Sequence, residues 1–415
     1  MPIELSGITF TEQGDFIGES GEDEILNNGF ANTLAGNDLI IGNSENSYTD
    51  NSVSRNLDWI SGVYNSGTFN TDDGNDFIMG TGKPTDLIFG SSQTIISGIY
   101  NIGTLNMGDG NDEILGIRYK QSKNTFNDDL GYGIHHRRGL IDTGEGDDII
   151  TGFSNAFFSH GIHIYSGNSF YDQKGATIDT GNGNDTITGT GNRSGIEIFG
   201  FNKIPNSSSL DTGNGNDIIT GTGIDFGIHF STENDSIDTG KGDDIITGTG
   251  NLGIGIYSSS SYLNTGEGND TITGIAYVTA IYNKGTISTG DGNDVISSGT
   301  NTSYEGFILN DGTINTGNGE DSLIADSGFY GNGNVFLGND TDYLRGFGYG
   351  NFNGGNDQDS LELTPGSYTV GISGAVVSFT KGNRVMKTSE FEKLIAGSTT
   401  YDFTSLTDGQ TILAA

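Results

Sequence analysis

The strongest constraint on this chain is a spacing. Ile141 and Ile150 stand nine residues apart, with the acidic, glycine-rich turn Thr143-Gly144-Glu145-Gly146-Asp147-Asp148 between them. The same interval recurs at Phe69/Ile78, Leu105/Ile114, Ile178/Ile187, Leu210/Ile219, Ile237/Ile246, Leu263/Ile272, Ile287/Ile296 and Ile314/Leu323. Two positions before the second apolar residue, every copy carries aspartate: Asp76, Asp112, Asp148, Asp185, Asp217, Asp244, Asp270, Asp294 and Asp321. Nine copies without a change of length define a repeat protein whose turn carries its chemistry.

A third apolar column appears once per repeat, at Val63, Ile99, Ile134, Ile162, Ile196, Ile228, Ile254, Ile281 and Phe307. Three inward positions in three short β-rich runs imply a three-sided coil. The tightest repeat, Asp270 to Asp294, has 24 residues, enough for three strands and their turns. Stacked in parallel at about 4.8 Å, such coils bury continuous Ile/Leu ladders that no single coil could bury alone. The expected fold is all-β, a right-handed parallel β-helix, with the hand taken from the usual crossover preference.

Composition alone points elsewhere. Only 32% of residues are apolar, and 54 acidic against 17 basic residues leave a net charge of −37, a profile typical of disorder. A disordered tract would not keep three columns in phase, and the 70 glycines sit largely at fixed turn positions. So acidic a chain suits cations and not nucleic acid. Met1 to Phe10 shows neither a basic nor an apolar leader region, so no cleavable signal peptide is expected. No apolar run approaches the length of a membrane span.

Residues 1–45 imitate the repeat irregularly, as an N-terminal cap would, at Gly14-Asp15-Phe16-Ile17, Glu22-Asp23-Glu24-Ile25 and Gly36-Asn37-Asp38-Leu39-Ile40. Residues 46–325 form the regular array of about nine coils. In 326–415 the period shortens: Asp342 and Asp359 lie 17 residues apart. Tyr368–Ile372 and Ala375–Phe379 then alternate like antiparallel strands, with a short helix expected near Glu390 to Ile395. This end reads as a small antiparallel C-terminal cap.

The turn Thr-Gly-x-Gly-x-Asp-x-Ile resembles the nonapeptide of the haemolysin-type, or RTX, calcium-binding repeats, Gly-Gly-x-Gly-x-Asp-x-(apolar)-x. The likeness extends over roughly residues 14–361, and the Gly355–Leu361 and Phe391–Gly397 segments are similar to the ends of cyanobacterial members. It implies a β-roll-like solenoid with Ca2+ between stacked turns, held by turn carbonyls and by the motif aspartates, here the nine above together with Asp342 and Asp359. It also implies extracellular location through a type I exporter reading an uncleaved C-terminal signal. Two departures stand out. Thr replaces the first Gly in most copies, and each coil carries one such turn where the family's β-roll carries two.

Electrostatics reaches the cation independently. Carboxylates stacked about 4.8 Å apart repel by about 1 kcal/mol per pair even in water. Asp142, Asp179, Asp211 and Asp238 add a second acid ahead of several turns. Hard oxygens on a flexible turn suit Ca2+ better than Mg2+. The alternative is a column of Asp side chains capping turn amides without metal.

The residue after each third-column position forms a second ladder: Tyr64, Tyr100, His135, His163, Glu197, His229, Gly255, Tyr282 and Ile308. Arg118, Lys120, Lys123, Arg137, Arg138, Lys174, Arg193 and Lys203 crowd the same stretch, with aromatics at Tyr119, Phe126, Phe157, Phe158, Phe170, Tyr171, Phe199 and Phe201. His135, His163, Glu197 and His229 are therefore candidates for acid–base work, with Arg137, Arg138 and Arg193 steering an anionic ligand. Ordinary strand surface, with cations balancing an acidic scaffold, is the competing explanation. Three functions remain open: a secreted calcium-dependent structural or adhesive module, an enzyme acting on polysaccharide or in biosynthesis along this face, and a scaffold for another protein. No nucleophile elbow, phosphate loop or zinc motif is present.

Overall fold

The computed structural model describes residues 3–10, 13, 15–18, 24–44, 59–83, 95–120, 130–166, 175–200, 207–230, 232, 234–299 and 306–415. Of the basic and aromatic residues named above, Lys123, Phe126, Phe170, Tyr171, Lys174, Phe201 and Lys203 lie outside the described residues. The chain is almost wholly strand and divides into two compact units, Met1–Ser236 and Ile237–Ala415.

In the first unit each coil contributes one strand to each of three parallel sheets. The first sheet contains Trp59–Asn65, Ile95–Asn101, Leu130–His136, Phe158–Tyr165, Ser194–Phe199 and Phe226–Phe230. The second, short and just before the turn, contains Thr68–Asn70, Thr104–Asn106, Gly139–Asp142, Ala176–Asp179 and Ser209–Asp211. The third, just after it, contains Leu39–Ser44, Phe77–Gly82, Glu113–Arg118, Ile149–Ser154, Thr186–Thr190 and Ile218–Gly223.

The apolar columns are the register. Ile99, Ile134, Ile162, Ile196 and Ile228 stack on the first sheet. Phe69, Leu105, Ile141, Ile178 and Leu210 stack on the second. Ile78, Ile114, Ile150, Ile187 and Ile219 stack on the third. All are buried, each worth about 1.5–3 kcal/mol of burial. A parallel β-helix follows from the spacing alone.

One close approach narrows the coil. A Cβ on Gly152 of the third sheet would stand 2.3 Å from the Gly161 carbonyl oxygen of the first, and one on Gly161 would stand 2.1 Å from the Thr190 amide nitrogen. The two sheets meet there backbone to backbone. That contact explains the glycine two places after each third-sheet isoleucine.

The second unit repeats the plan. Its third sheet runs Ile245–Gly250, Thr271–Ala276, Val295–Ser298, Ser322–Ile324, Tyr343–Arg345 and Ser360–Leu363. The columns depart from expectation at two places on its first sheet. Ile256, not Ile254, pairs with Ile281 and is buried, and Ile308, not Phe307, follows it. Ile-Gly-Ile and Phe-Ile each offer two candidates: Ile254 falls opposite Thr279, which leaves Ile256 for the column, and a register irregularity between Thr279 and Ile281 puts Ile308 there in place of Phe307. The neighbouring column therefore holds Tyr257 and Leu309 where Gly255 and Ile308 were expected.

The unit ends in an antiparallel cap. Gly366–Ser373 pairs with Val376–Lys381 and with Thr411–Ala414. Arg384–Ser389 joins this cap in parallel to the coil strand Gly350–Gly355. The helix expected near Glu390 to Ile395 is instead the strand Lys393–Ala396, whose Leu394 continues the Leu361 column. Burial of alternate residues Leu394 and Ala396 outweighs local helix propensity. No helix among the described residues is long and apolar enough to cross a membrane.

Candidate functional site

The motif aspartates form a continuous hydrogen-bonded column within each unit. In the first, the Asp38 amide donates to Asp76 Oδ1 at 2.8 Å, Asp76 to Asp112 at 2.7 Å, and Asp112, Asp148 and Asp185 each to the next at 2.8 Å, ending on Asp217. In the second, Asp244, Asp270, Asp294, Asp321 and Asp342 donate in turn over 2.8–2.9 Å, ending on Asp359. One oxygen of each carboxylate thus caps the turn amide of the coil below.

The other oxygen is left over. Oδ2 of Asp38, Asp76, Asp112, Asp148, Asp270, Asp294, Asp321, Asp342 and Asp359 is buried with no hydrogen-bond partner among the described residues. Asp185 differs, accepting from the Thr180 hydroxyl at 2.5 Å. Burial pushes these carboxyls up, and neighbouring aspartates add to the shift: Asp112 and Asp342 to about 8, Asp148 and Asp321 to about 7, Asp76, Asp185, Asp217, Asp270 and Asp359 to about 6. Asp244 and Asp294 occupy the same column, Asp294 also shifted up by burial.

The turn backbone accounts for the remaining motif residues. Gly146 adopts φ +142, and a Cβ there would lie 1.7 Å from the Gly110 carbonyl oxygen in the neighbouring coil. The threonine in the family's first glycine position is buried and bonds along the stack, as Thr71 Oγ1 does to Met107 O at 3.0 Å and Thr289 Oγ1 to Thr316 O at 3.1 Å. Asp179 and Asp211 cap the following glycine amide at 3.1 Å each. This second acid therefore shapes the turn locally.

The histidine ladder is also in register, Tyr100 beside His135, His135 beside His163, His163 beside Glu197 and Glu197 beside His229. It points away from the apolar core yet is not open surface. Tyr100, His135, His163, Glu197 and His229 are each no more than 8% exposed. Two residues missed in the sequence help to bury it. Tyr132 stacks on His163 with ring centroids 4.8 Å apart and lies 4.2 Å from His135, and His160 stacks 5.1 Å from His163. They sit three residues before His135 and His163, and the intervening Gly133 and Gly161 bring both onto one face.

Glu197 is the centre of this cluster. Its Oε1 lies 2.9 Å from His229 Nδ1, and its Oε2 lies 3.6 Å from His163 Nε2. His160 Nδ1 stands 3.0 Å from Oε2, at ion-pair distance though off the hydrogen-bond line. Burial pushes the Glu197 carboxyl up, but the surrounding imidazoles outweigh it and hold it well below the usual range. Burial lowers His163 to about 3 and holds His135 well below its ordinary value. Both ring nitrogens of His135 lack a hydrogen-bond partner among the described residues.

The three arginines divide. Arg137 lies over the Tyr165 ring at 5.9 Å and lowers the Tyr100 hydroxyl against its burial, and the Arg193 charge reaches His163 and Tyr132. Arg138 donates from Nε to Ile102 O at 3.1 Å, and its charge also reaches Tyr100. His136 is a structural residue: its ring nitrogens lie 3.1 Å from Asn101 Nδ2 and 3.2 Å from Gly139 O.

No family model and no curated protein matches this chain. A similar solved structure is the X-ray crystal structure of a hyperactive, Ca2+-dependent, β-helical antifreeze protein from an Antarctic bacterium. It is 18% identical, with a TM-score of 0.34, over 85% of this chain and 78% of that one.

Proposed function

We propose that this protein is a calcium-binding β-solenoid of the RTX type, exported to an environment rich in calcium and serving there as a structural or adhesive module. The carrying observation is the row of buried Asp Oδ2 atoms without partners. A carboxylate buried half-satisfied is costly, and its neighbours in the column make ionisation costlier still. A divalent cation between turns would offset both, and Asp76, Asp112, Asp148, Asp185, Asp217, Asp244, Asp270, Asp294, Asp321, Asp342 and Asp359 are the residues to hold it. Bound calcium would supply charge neutralisation, and the chain's own part is to present carboxylate and carbonyl oxygens on a preformed turn. The test is Asp148→Asn, which keeps an acceptor for the Asp112 amide but removes the charge. Titration calorimetry should then show fewer or weaker calcium sites. Unchanged binding would mean the column only caps amides.

The buried cluster around Glu197 favours a second reading, an enzyme or ligand-binding face. Three imidazoles about one ionised carboxylate form a proton-handling group with no role in the apolar core. His163→Ala and Glu197→Ala should abolish any turnover found in a screen of acidic and neutral polysaccharides, while calcium-dependent melting is retained. Full turnover in both variants would remove this reading.

A further inference from the structure

The outer side of the third sheet in the first unit carries apolar residues that neither the core nor the calcium turn uses. On its first four long strands the apolar outward residues are Leu39 and Ile41, then Phe77 and Met79, then Leu115 and Ile117, then Ile149 and Phe153, with Asn43, Thr81, Glu113 and Thr151 in the other outward places. The register sets Leu39 beside Phe77, Ile41 beside Met79, Met79 beside Leu115 and Ile117 beside Phe153, while Glu113 stands between Phe77 and Ile149 and Thr151 stands beside Leu115. None of the eight is buried, and Ile149 is 42% exposed. Glu113 is the single charged outward residue on these strands, in a chain carrying −37 overall. On the next two strands most of the same positions hold threonine: Thr186, Thr188, Thr190, Thr220 and Thr222. So large a face of apolar residues and threonines with one charge, on so acidic a molecule, is the mark of an interaction surface.

We infer that this face is a self-association surface, covered by the same face of a second copy of the chain. Two features select that occupant. The first is period: rows of side chains about 4.8 Å apart interdigitate best with rows of equal spacing, as in packed sheets. The second is charge. Along the turn edge Asp109, Glu145 and Asp147 are exposed, whereas the opposite edge of the described residues exposes Lys83 and Lys120 and half-exposes Arg193, with Asp225 the acid among them. A two-fold axis parallel to the stacking direction reverses the strands, keeps coil against coil, and sets the acidic edge of one copy on the basic edge of the other. A lipid surface has no such period, and its phosphates would face the acidic edge. Six strands about 4.8 Å apart and about 17 Å long give a footprint of about 490 Å². That is close to the roughly 500 Å² per partner, about 1,000 Å² in total, that a specific interface needs.

Light scattering on the full chain in calcium buffer tests the pairing. The expected mass is twice the 43.6 kDa of one chain, falling to a single chain for Leu115→Lys/Ile117→Lys with its melting curve unchanged. The chain has no cysteine, so Thr151→Cys provides an independent reading should the double variant fail to fold. Mild oxidation should link two copies through Thr151→Cys at mid-face and leave a Tyr262→Cys control unlinked. A wild-type monomer at the highest soluble concentration would overturn the inference. So would a dimer unaffected by Leu115→Lys/Ile117→Lys and unlinked through Thr151→Cys. Co-sedimentation of a monomeric wild type with phosphatidylcholine or phosphatidylserine vesicles, lost in the double variant, would assign the face to lipid and equally overturn it.

Discussion

A buried carboxylate with one oxygen bonded and one bare sets the behaviour of each motif aspartate. Its folded pKa, about 6 to 8 along the column, lies above the unfolded value of about 3.9. The metal-free fold therefore binds protons that the unfolded chain releases, and that stability is lost as pH rises through about 6 to 8. His163 works in the opposite sense: its folded value of about 3 lies below the unfolded value of about 6.5, so its share is lost as pH falls below that value. Because the raised aspartates outnumber His163, melting temperatures in chelator should fall as pH rises from about 4 to about 8, and calcium should lift the alkaline side. A metal-free melting temperature that climbs steadily from pH 5 to pH 8 would contradict this account. Core positions are equally specific. Ile219→Asp places an unpaired charge in the third-sheet column and should cost more than about 4 kcal/mol, whereas Thr186→Asp, on the outward side, should cost less than about 1 kcal/mol. Denaturant midpoints of the two variants decide it.

At the scale of strands, a polar ladder does what the apolar columns cannot. Asn27 Nδ2 bonds Asn65 Oδ1 at 2.9 Å and Thr68 O at 2.9 Å, and Asn65 repeats the pair onto Asn101 and Thr104, each at 2.8 Å. Asn283 and Asn310 do the same in the second unit. These amides satisfy the corner between first and second sheets. Asn65→Ala should therefore cost about 1–3 kcal/mol, read as a lowered melting temperature with the coils intact. The recurring Asn-x-Gly-Thr that marks this corner was present to be read in the sequence, but only apolar columns and acidic turns define the repeat by spacing. The same logic separates what else was legible. The nine-residue turn and its two columns needed no tertiary information, because their length never changes. Ile256 and Ile308 did, because the strand pairing decided between two nearby apolar residues in each case, with a register irregularity at Ile308. Tyr132 and His160 were hidden because a glycine offset, not simple alternation, brings them to the face of His135 and His163. The stacking of Tyr132 on His135 and His163, and the ion-pair contact of His160 with Glu197, help to bury that ladder. Glu197→Gln should raise the lowest pH at which the fold survives, since the imidazoles lose their counter-charge, and acid titration followed by ellipticity measures it.

For the whole molecule, the opposing demands are plain. Three buried columns and a backbone-tight glycine contact hold the coils together, while the acidic edge pushes them apart unless its charge is met. Calcium bound at that edge would meet the charge and be part of the fold, not an accessory. Circular dichroism melting of the full chain at neutral pH, in excess chelator and in millimolar calcium, tests that claim most directly. The account predicts a strong rise in melting temperature and in strand signal with calcium, absent with magnesium at equal concentration. Superimposable curves in chelator and calcium would contradict it.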